Sequence, residues 1–185
     1  MSYLFQPEAL HEIARKAVGM PYKEMFTKVT NDLEMLVPGR IRHKQRWLFN
    51  TACGATGQMT LLYGSLSEYI ILFGTPIGTE GFSGRYFADV HDFMLDGEMW
   101  TYHDGDFERS VYKPGDWARL DRGRAKGYCV KDHAWMLEYA RGWIPLMLPI
   151  GLADNFFSNL DFRSVCQLFW DYGGLCISEL MRGKI

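Results

Sequence analysis

Apolar residues in this chain change their spacing twice, and each change marks a different kind of secondary structure. Leu10, Ile13, Ala14, Ala17 and Val18 recur at helical spacing after Pro7, which suits a first helical turn, and Gly19 stops the pattern. Pro21 restarts it, and Met25, Phe26, Val29, Leu33 and Leu36 form a second stripe ending at Pro38-Gly39. An N-terminal helical pair is therefore expected. From Trp47 the apolar runs shorten to strand length, at Trp47-Leu48-Phe49, Thr60 to Tyr63, Glu68 to Phe73, Tyr86 to Leu95, Glu98 to His103 and Ser110 to Tyr112. Gly64-Ser65-Leu66-Ser67, Asp96-Gly97, Asp104-Gly105 and Pro114-Gly115-Asp116 supply turn chemistry between them. This middle section, to about Gly142, reads as an antiparallel sheet curled into a barrel or jelly roll. After Pro149 the longer period returns through Leu152, Phe156, Phe157, Leu160, Val165, Leu168, Tyr172, Leu175 and Met181, predicting one or two C-terminal amphipathic helices. The expected fold is mainly β with flanking helices, in one domain, since no repeat, linker or low-complexity stretch interrupts the chain.

Composition narrows the function. Lys plus Arg number 20 against 22 Asp plus Glu, a formal charge of −2, so the overall balance gives no reason to expect nucleic acid as a partner. Apolar residues make up 48% and aromatics 15% of the 185 residues, which excludes disorder and leaves rings to line a pocket. Cys53, Cys129, Cys166 and Cys176 stand in no C-x-x-C spacing and are read as reduced thiols. No signal peptide is legible, and from the opening Met1-Ser2-Tyr3-Leu4-Phe5 no N-terminal membrane-spanning helix is expected. The longest apolar stretch, Ala134 to Ala153, is broken by Glu138, Arg141, Pro145 and Pro149, short of the roughly 18 clean apolar residues of a spanning helix. A location in the cytoplasm, or peripheral on a membrane, is expected.

Several kinds of chemistry lack their residues. His11, His43, His91, His103 and His133 are scattered, with no H-x-H or H-E-x-x-H, so no metal is expected. Gly54 and Gly57 belong to no phosphate-binding glycine motif, no G-x-S-x-G elbow is present, and no cofactor is implied. The densest positive run, Arg40-Ile41-Arg42-His43-Lys44-Gln45-Arg46, reads either as a solvated loop or as a contact for lipid headgroups.

Acids inside apolar strand texture are more informative. In Ala134-Trp135-Met136-Leu137-Glu138-Tyr139, strand alternation puts Glu138 on the face of Met136 and opposite Leu137. Asp92 lies in the Tyr86 to Met94 run, and Glu68-Tyr69 opens Ile70-Ile71-Leu72-Phe73. A carboxylate on a core face must be paired, protonated or hydrogen-bonded. Either each acid caps the sheet or bonds to backbone, or two of them converge in an apolar cavity and share a proton.

Three segments, Ser65-Leu66-Ser67-Glu68-Tyr69-Ile70-Ile71-Leu72-Phe73-Gly74-Thr75, Gly81-Phe82-Ser83-Gly84-Arg85-Tyr86-Phe87-Ala88-Asp89 and Trp135 to Pro145, give the chain a resemblance to the family of the sigma-one receptor and the fungal C-8 sterol isomerase. The resemblance implies a cupin-like β-barrel closed by N-terminal helices and by two C-terminal helices lying against a membrane, assembled as a homo-oligomer, often a trimer. It implies that Asp92 and Glu138 face each other inside the barrel as catalytic acids, with Tyr69 hydrogen-bonded to Glu138. Tyr69, Glu68, Phe73, Tyr86, Phe87, Trp135, Met59 and Leu61 are the expected substrate-binding residues.

Protonating an unactivated alkene demands a neutral acid, a nearby carboxylate to stabilise the cation, and aromatic walls that exclude water, all without a metal or nucleotide. The expected function is a double-bond isomerase acting on a sterol-like or other isoprenoid substrate. A proton-initiated terpenoid cyclase and a non-catalytic binder of cationic amphiphiles would need the same acids. The apolar segment from Leu152 to Met181 is interrupted by Asp154, Asp161, Arg163, Asp171 and Glu179, so it is expected to cover the barrel mouth and touch lipid, or else to be buried between subunits.

Overall fold

The computed structural model describes residues 3–185; Met1 and Ser2, with which the sequence opens, lie outside them. Both N-terminal helices form where the apolar stripes place them, α1 at Pro7–Ala17 and α2 at Tyr22–Leu36. Strands follow: β1 (Leu48–Ala52), β2 (Ala55–Gly64), β3 (Glu68–Thr75), β4 (Thr79–Phe82), β5 (Ala88–Tyr102), β6 (Ser110–Tyr112), β7 (Trp117–Leu120) and β8 (Gly127–Gly142). A short 3-10 turn at Ile144–Leu146 leads into α3 (Leu148–Phe157) and α4 (Phe162–Met181). The protein is mainly β with flanking helices.

All eight strands join one antiparallel sheet in the order β1-β2-β3-β8-β5-β6, with β4 added to β8 and β7 to β5. Among the described residues the ladder does not return on itself, so the expected closed barrel is instead an open, curled sheet. The curl is visible in its packing: Leu48 of β1, Ile71 of β3, Val90 of β5 and Leu120 of β7 meet in a single apolar cluster although they lie far apart in strand order. Helices cover the gap, α3 lying along β1 and α4 against β1 and β2.

Asp96-Gly97 is not the turn that its dipeptide suggests. β5 runs straight through it, pairing with β8 from Ala88↔Gly142 to Tyr102↔Gly127, with the register shifting between Met94 and Asp96 and again between Gly97 and Met99. The glycine is needed there for space and backbone angle: its φ is +77°, and a Cβ would sit 2.0 Å from the His133 carbonyl oxygen. The signal marks a bulge that bends a long strand, and such bends are one way a sheet acquires curvature.

Strand alternation divides the sheet into two faces with different jobs. Ile70, Leu72, Phe93, Leu95, Leu137 and Tyr139 point outward and pack with Leu10, Ile13, Met25, Val29 and Leu33 of α1 and α2. The N-terminal helices therefore cover the outer face and do not close the cavity, a correction to the expected arrangement that follows from where their apolar stripes find a partner surface. The inner face packs instead under Met147, Leu152, Val165, Leu168 and Tyr172 of the C-terminal helical segment.

The arginines of the basic run are ion-paired, while His43 and Lys44 are exposed. Arg42 and Arg46 both reach Asp171 of α4, at 2.9 and 3.4 Å, and Arg40 reaches Glu179 at 2.5 Å. Both α4 acids are buried, and Tyr63 donates a further hydrogen bond to Glu179 at 2.9 Å. The run clasps α4 to the sheet edge. Removing one partner of such a pair strands the other charge. Asp171→Ala is thus expected to lower unfolding free energy in urea by about 3 kcal/mol, the size typical of a broken buried ion pair. Asp161→Ala, which removes only the half-buried side chain accepting from the Ser164 N–H at the start of α4, should cost about 1 kcal/mol.

Candidate active site

β8 lays its even-numbered residues on the inner face, so Met136 and Glu138 look into the sheet while Trp135, Leu137 and Tyr139 look out. β5 does the same with Val90 and Asp92. Their ladder pairs Asp92 directly with Glu138, and directly paired residues share a face, so two carboxyls confront each other across adjacent strands. On the other side of β8, Ala140 pairs with Tyr69 of β3, one diagonal step from Glu138, and the Tyr69 hydroxyl donates to Glu138 Oε1 at 2.5 Å.

The cavity around these groups is largely apolar. Met59 and Leu61 of β2, Ile71 and Phe73 of β3 and Leu120 of β7 wall it, and Ile144, Met147, Leu152, Leu168 and Tyr172 roof it. Tyr86 and Tyr128 also line it, and burial holds both phenols above their ordinary pKa, so they remain neutral donors at physiological pH.

Lys126 completes the polar group. Its ammonium lies 2.6 Å from Asp92 Oδ2, with both side chains buried, and its backbone N–H donates to Ser83 Oγ at 2.9 Å. Among the described residues, no cation makes such a contact with Glu138. Burial, followed by the charge of Asp92, raises its carboxyl from 4.5 to about 7, against the opposing pull of the Tyr69 hydrogen bond and of Lys126. At neutral pH the site thus holds an ion-paired aspartate beside a glutamate balanced between its acid and carboxylate forms.

Of the residues singled out from sequence, Asp92, Glu138, Tyr69, Phe73, Tyr86, Met59 and Leu61 line this one cavity. Three are corrected. Glu68 precedes Tyr69 in the strand and so faces the other way; its carboxylate accepts from Leu4 N–H at 2.7 Å and Tyr139 hydroxyl at 2.8 Å, and Lys184 lies 3.0 Å away. It ties both ends of the described chain to the sheet. Trp135 alternates with Met136 and packs outward against Phe26 and Trp47. Phe87 is 65% exposed and falls outside the cavity lining. Sequence reading missed Lys126 and Tyr128 and, although it expected the C-terminal segment to cover the cavity mouth, named none of its residues as lining. The signal for the first two was parity: Lys126, Tyr128, Val130, Met136 and Glu138 all occupy even positions of one strand and its approach. Among the described residues, no three His, Cys, Asp or Glu side chains gather as a metal site.

A family model described as "ERG2 and Sigma1 receptor like protein" matches residues 1–184, and the chain belongs to that family. It is 40% identical over 186 residues to the C-8 sterol isomerase erg2 of Aspergillus fumigatus, covering 98% of this chain and 78% of that protein. It is 36% identical over 180 residues to the sigma non-opioid intracellular receptor 1 of Xenopus tropicalis, covering 96% of this chain and 81% of the receptor. Among solved structures, an RmlC-like cupin from Shewanella frigidimarina is similar at a TM-score of 0.46 and 13% identity, over 54% of this chain and 85% of that one.

The raised carboxyl carries a stability consequence. Between pH 4.5 and about 7 the native protein keeps a proton on Glu138 that the unfolded chain has released, so through this group stability falls as pH rises across that window. Glu138→Gln removes the dependence. Urea unfolding at about pH 5 and pH 8 should show the variant gaining on the parent by on the order of 2 kcal/mol at the higher pH. An unchanged difference would mean that Glu138 titrates as an ordinary carboxyl.

Proposed function

We propose that the protein is a metal-independent isomerase that shifts a double bond in a sterol-like or other isoprenoid substrate. The observation that carries this reading is the pairing of Glu138 with Asp92 on one face of the sheet inside a largely apolar cavity, where burial and the Asp92 charge push the Glu138 carboxyl up. In the proposed step the Glu138 O–H bond breaks as a C–H bond forms on one alkene carbon, leaving a cation on the neighbouring carbon. Loss of a proton from the next carbon to a carboxylate restores the alkene in its new position. The Tyr69 donor on Oε1 leaves the proton to Oε2 and steadies the carboxylate formed on transfer. Apolar walls keep water from capturing the cation.

A receptor-like binding role is the second reading, favoured by the 36% identity to the amphibian sigma receptor. Incubation with a sterol carrying the 8,9 double bond, and with linear polyprenyl substrates, in deuterated water separates the two. Deuterium in a double-bond isomer supports the isomerase; deuterium in a ring-closed polyprenyl product would indicate a cyclase; unchanged substrates would favour the binder. Asp92→Asn and Glu138→Gln are each expected to abolish turnover in folded protein. Tyr69→Phe should reduce it by about tenfold, corresponding to roughly 1.4 kcal/mol lost from one hydrogen bond to a charged group.

We further propose that the outer face of the C-terminal helices meets a membrane. Phe157 is 88% exposed, Trp170 79% and Met181 79%, beside the helices that roof the cavity. No described helix is long and apolar enough to cross a bilayer, so contact would lie in the interface plane. Liposome flotation should carry the protein upward, and Phe157→Ser with Trp170→Ser should leave it at the bottom. A monodisperse oligomer in detergent-free buffer that ignores liposomes would instead assign this face to subunit contacts.

A further inference from the structure

Among the described residues four phenols line the cavity, and two of them are bonded within the protein. Tyr69 donates to Glu138, and Tyr172 donates to the Ser65 carbonyl at 2.7 Å. The Ser83 hydroxyl is likewise committed, donating to the Gly84 carbonyl at 3.0 Å. Tyr86 and Tyr128 differ. Among the described residues neither of their hydroxyls has a hydrogen-bond partner, and neither oxygen is sealed from the space beside it. Both side chains are half-buried and line the cavity.

Backbone puts both rings in place. Tyr128 pairs with Gly81 of β4 on one side of β8 and with Thr101 of β5 on the other. Tyr86 follows the turn at Ser83-Gly84-Arg85, where Gly84 has a φ of +86°. A Cβ at Gly84 would stand 2.8 Å from Tyr86 Cζ, 2.9 Å from its Oη and 2.8 Å from Ile150 Cγ2 of α3. Glycine at this position therefore leaves the phenol end its place between the turn and α3. Ionising Tyr86 would set its charge against those of Tyr128 and Glu138, so the two hydroxyls and the acid occupy one region of the cavity.

A neutral phenol both donates and accepts, and so does an alcohol. One phenol can donate to the ligand oxygen while the ligand hydroxyl donates to the other. A hydrocarbon that fills the cavity leaves both phenols without partners, a loss that an alcohol avoids. A diphosphate ester finds little to hold it, since Lys126 is the one cation among the described lining residues and already lies 2.6 Å from Asp92. We infer that Tyr86 and Tyr128 are positioning residues that together take a single hydroxyl of the ligand, so that the cavity selects an uncharged isoprenoid alcohol and sets which of its carbons lies beside Glu138. The inference deepens the isomerase reading and rests on its assignment of the cavity as the ligand site. Holding one end of a rigid skeleton fixes the position of the rest, which is what proton transfer to a chosen carbon requires.

The test measures equilibrium binding of 5α-cholestan-3β-ol and of 5α-cholestane, a pair that differs by one hydroxyl and has no double bond to move. Both are delivered from cyclodextrin, each corrected for its own partition. A saturated linear pair, hexahydrofarnesol and farnesane, is run beside them. The unmodified protein should prefer the alcohol of at least one pair by about tenfold or more. Tyr86→Phe and Tyr128→Phe should each weaken that alcohol by about fivefold and leave the hydrocarbon within about threefold of the parent. The double substitution should bring the two ligands of the pair within about threefold of each other. Equal losses for alcohol and hydrocarbon would mean that the phenols only support the fold, and would overturn the inference. So would an alcohol preference that survives the double substitution. Absence of a preference in both pairs overturns it in the unmodified protein, whether or not the variants fold. Deuterium incorporation judges the isomerase reading separately: labelled, isomerised product without an alcohol preference rejects the phenol pair alone, and an intact preference without product rejects the isomerase alone.

Discussion

The ladder between β5 and β8 is the constraint on which the remaining structure depends. It pairs Asp92 with Glu138, and because side chains alternate across a strand, that one pairing sends both carboxyls to the same face. A slip of one residue in either strand would turn an acid toward the N-terminal helices. The register is held by what lies on each side of the acids. Phe93 and Leu137 are locked under the N-terminal helices, and Met94 and Met136 pair on the inner face. Beyond them the bulge at Asp96-Gly97 resets the register, and its close approach to the His133 carbonyl admits no side chain.

Charge is distributed on the same principle of separation. Three sets of buried acids sit in different parts of the molecule, each with its own donors. Glu68 takes backbone N–H groups and a lysine on the outer face, Asp171 and Glu179 take the Arg40 to Arg46 segment at the sheet edge, and Asp92 takes Lys126 in the cavity. Glu138 is the exception, since its direct partner is a neutral phenol. A hydrogen bond from Tyr69 stabilises the carboxylate without fully offsetting burial, and the balance leaves the group near neutrality. The chemistry proposed for the cavity depends on that incomplete compensation.

The α4 helix joins the ion-paired sheet edge to the cavity. Its inner residues Leu168 and Tyr172 roof the cavity, while its acids are clasped by the segment that leads from α2 to β1. A helix held at its flank by ion pairs and at its face by apolar packing can be positioned firmly over a ligand site while Trp170 and Ile177 are left exposed. Packing and charge therefore act on different sides of one element.

Local patterning determined a good deal by itself. The helical stripes, the strand-length runs and the turn at Pro114-Gly115-Asp116 are consequences of neighbours within a few residues, and alternation alone set Glu138 on the face of Met136. The same alternation, applied to Glu68-Tyr69 and Trp135-Met136, turns Glu68 and Trp135 away from the cavity, so their exclusion was already implicit in strand parity. The open edge of the sheet, the placement of the N-terminal helices on its outer face and the capture of the arginines by α4 were decided only by tertiary structure. Each depends on which distant surface a stripe or a charge meets. Lys126 shows why most plainly: it is 34 residues from Asp92 in the chain and 2.6 Å away in space, and a lysine in a loop reads as solvated until the fold closes over it. Periodicity reports what a segment presents, and only long-range contact fixes what receives it.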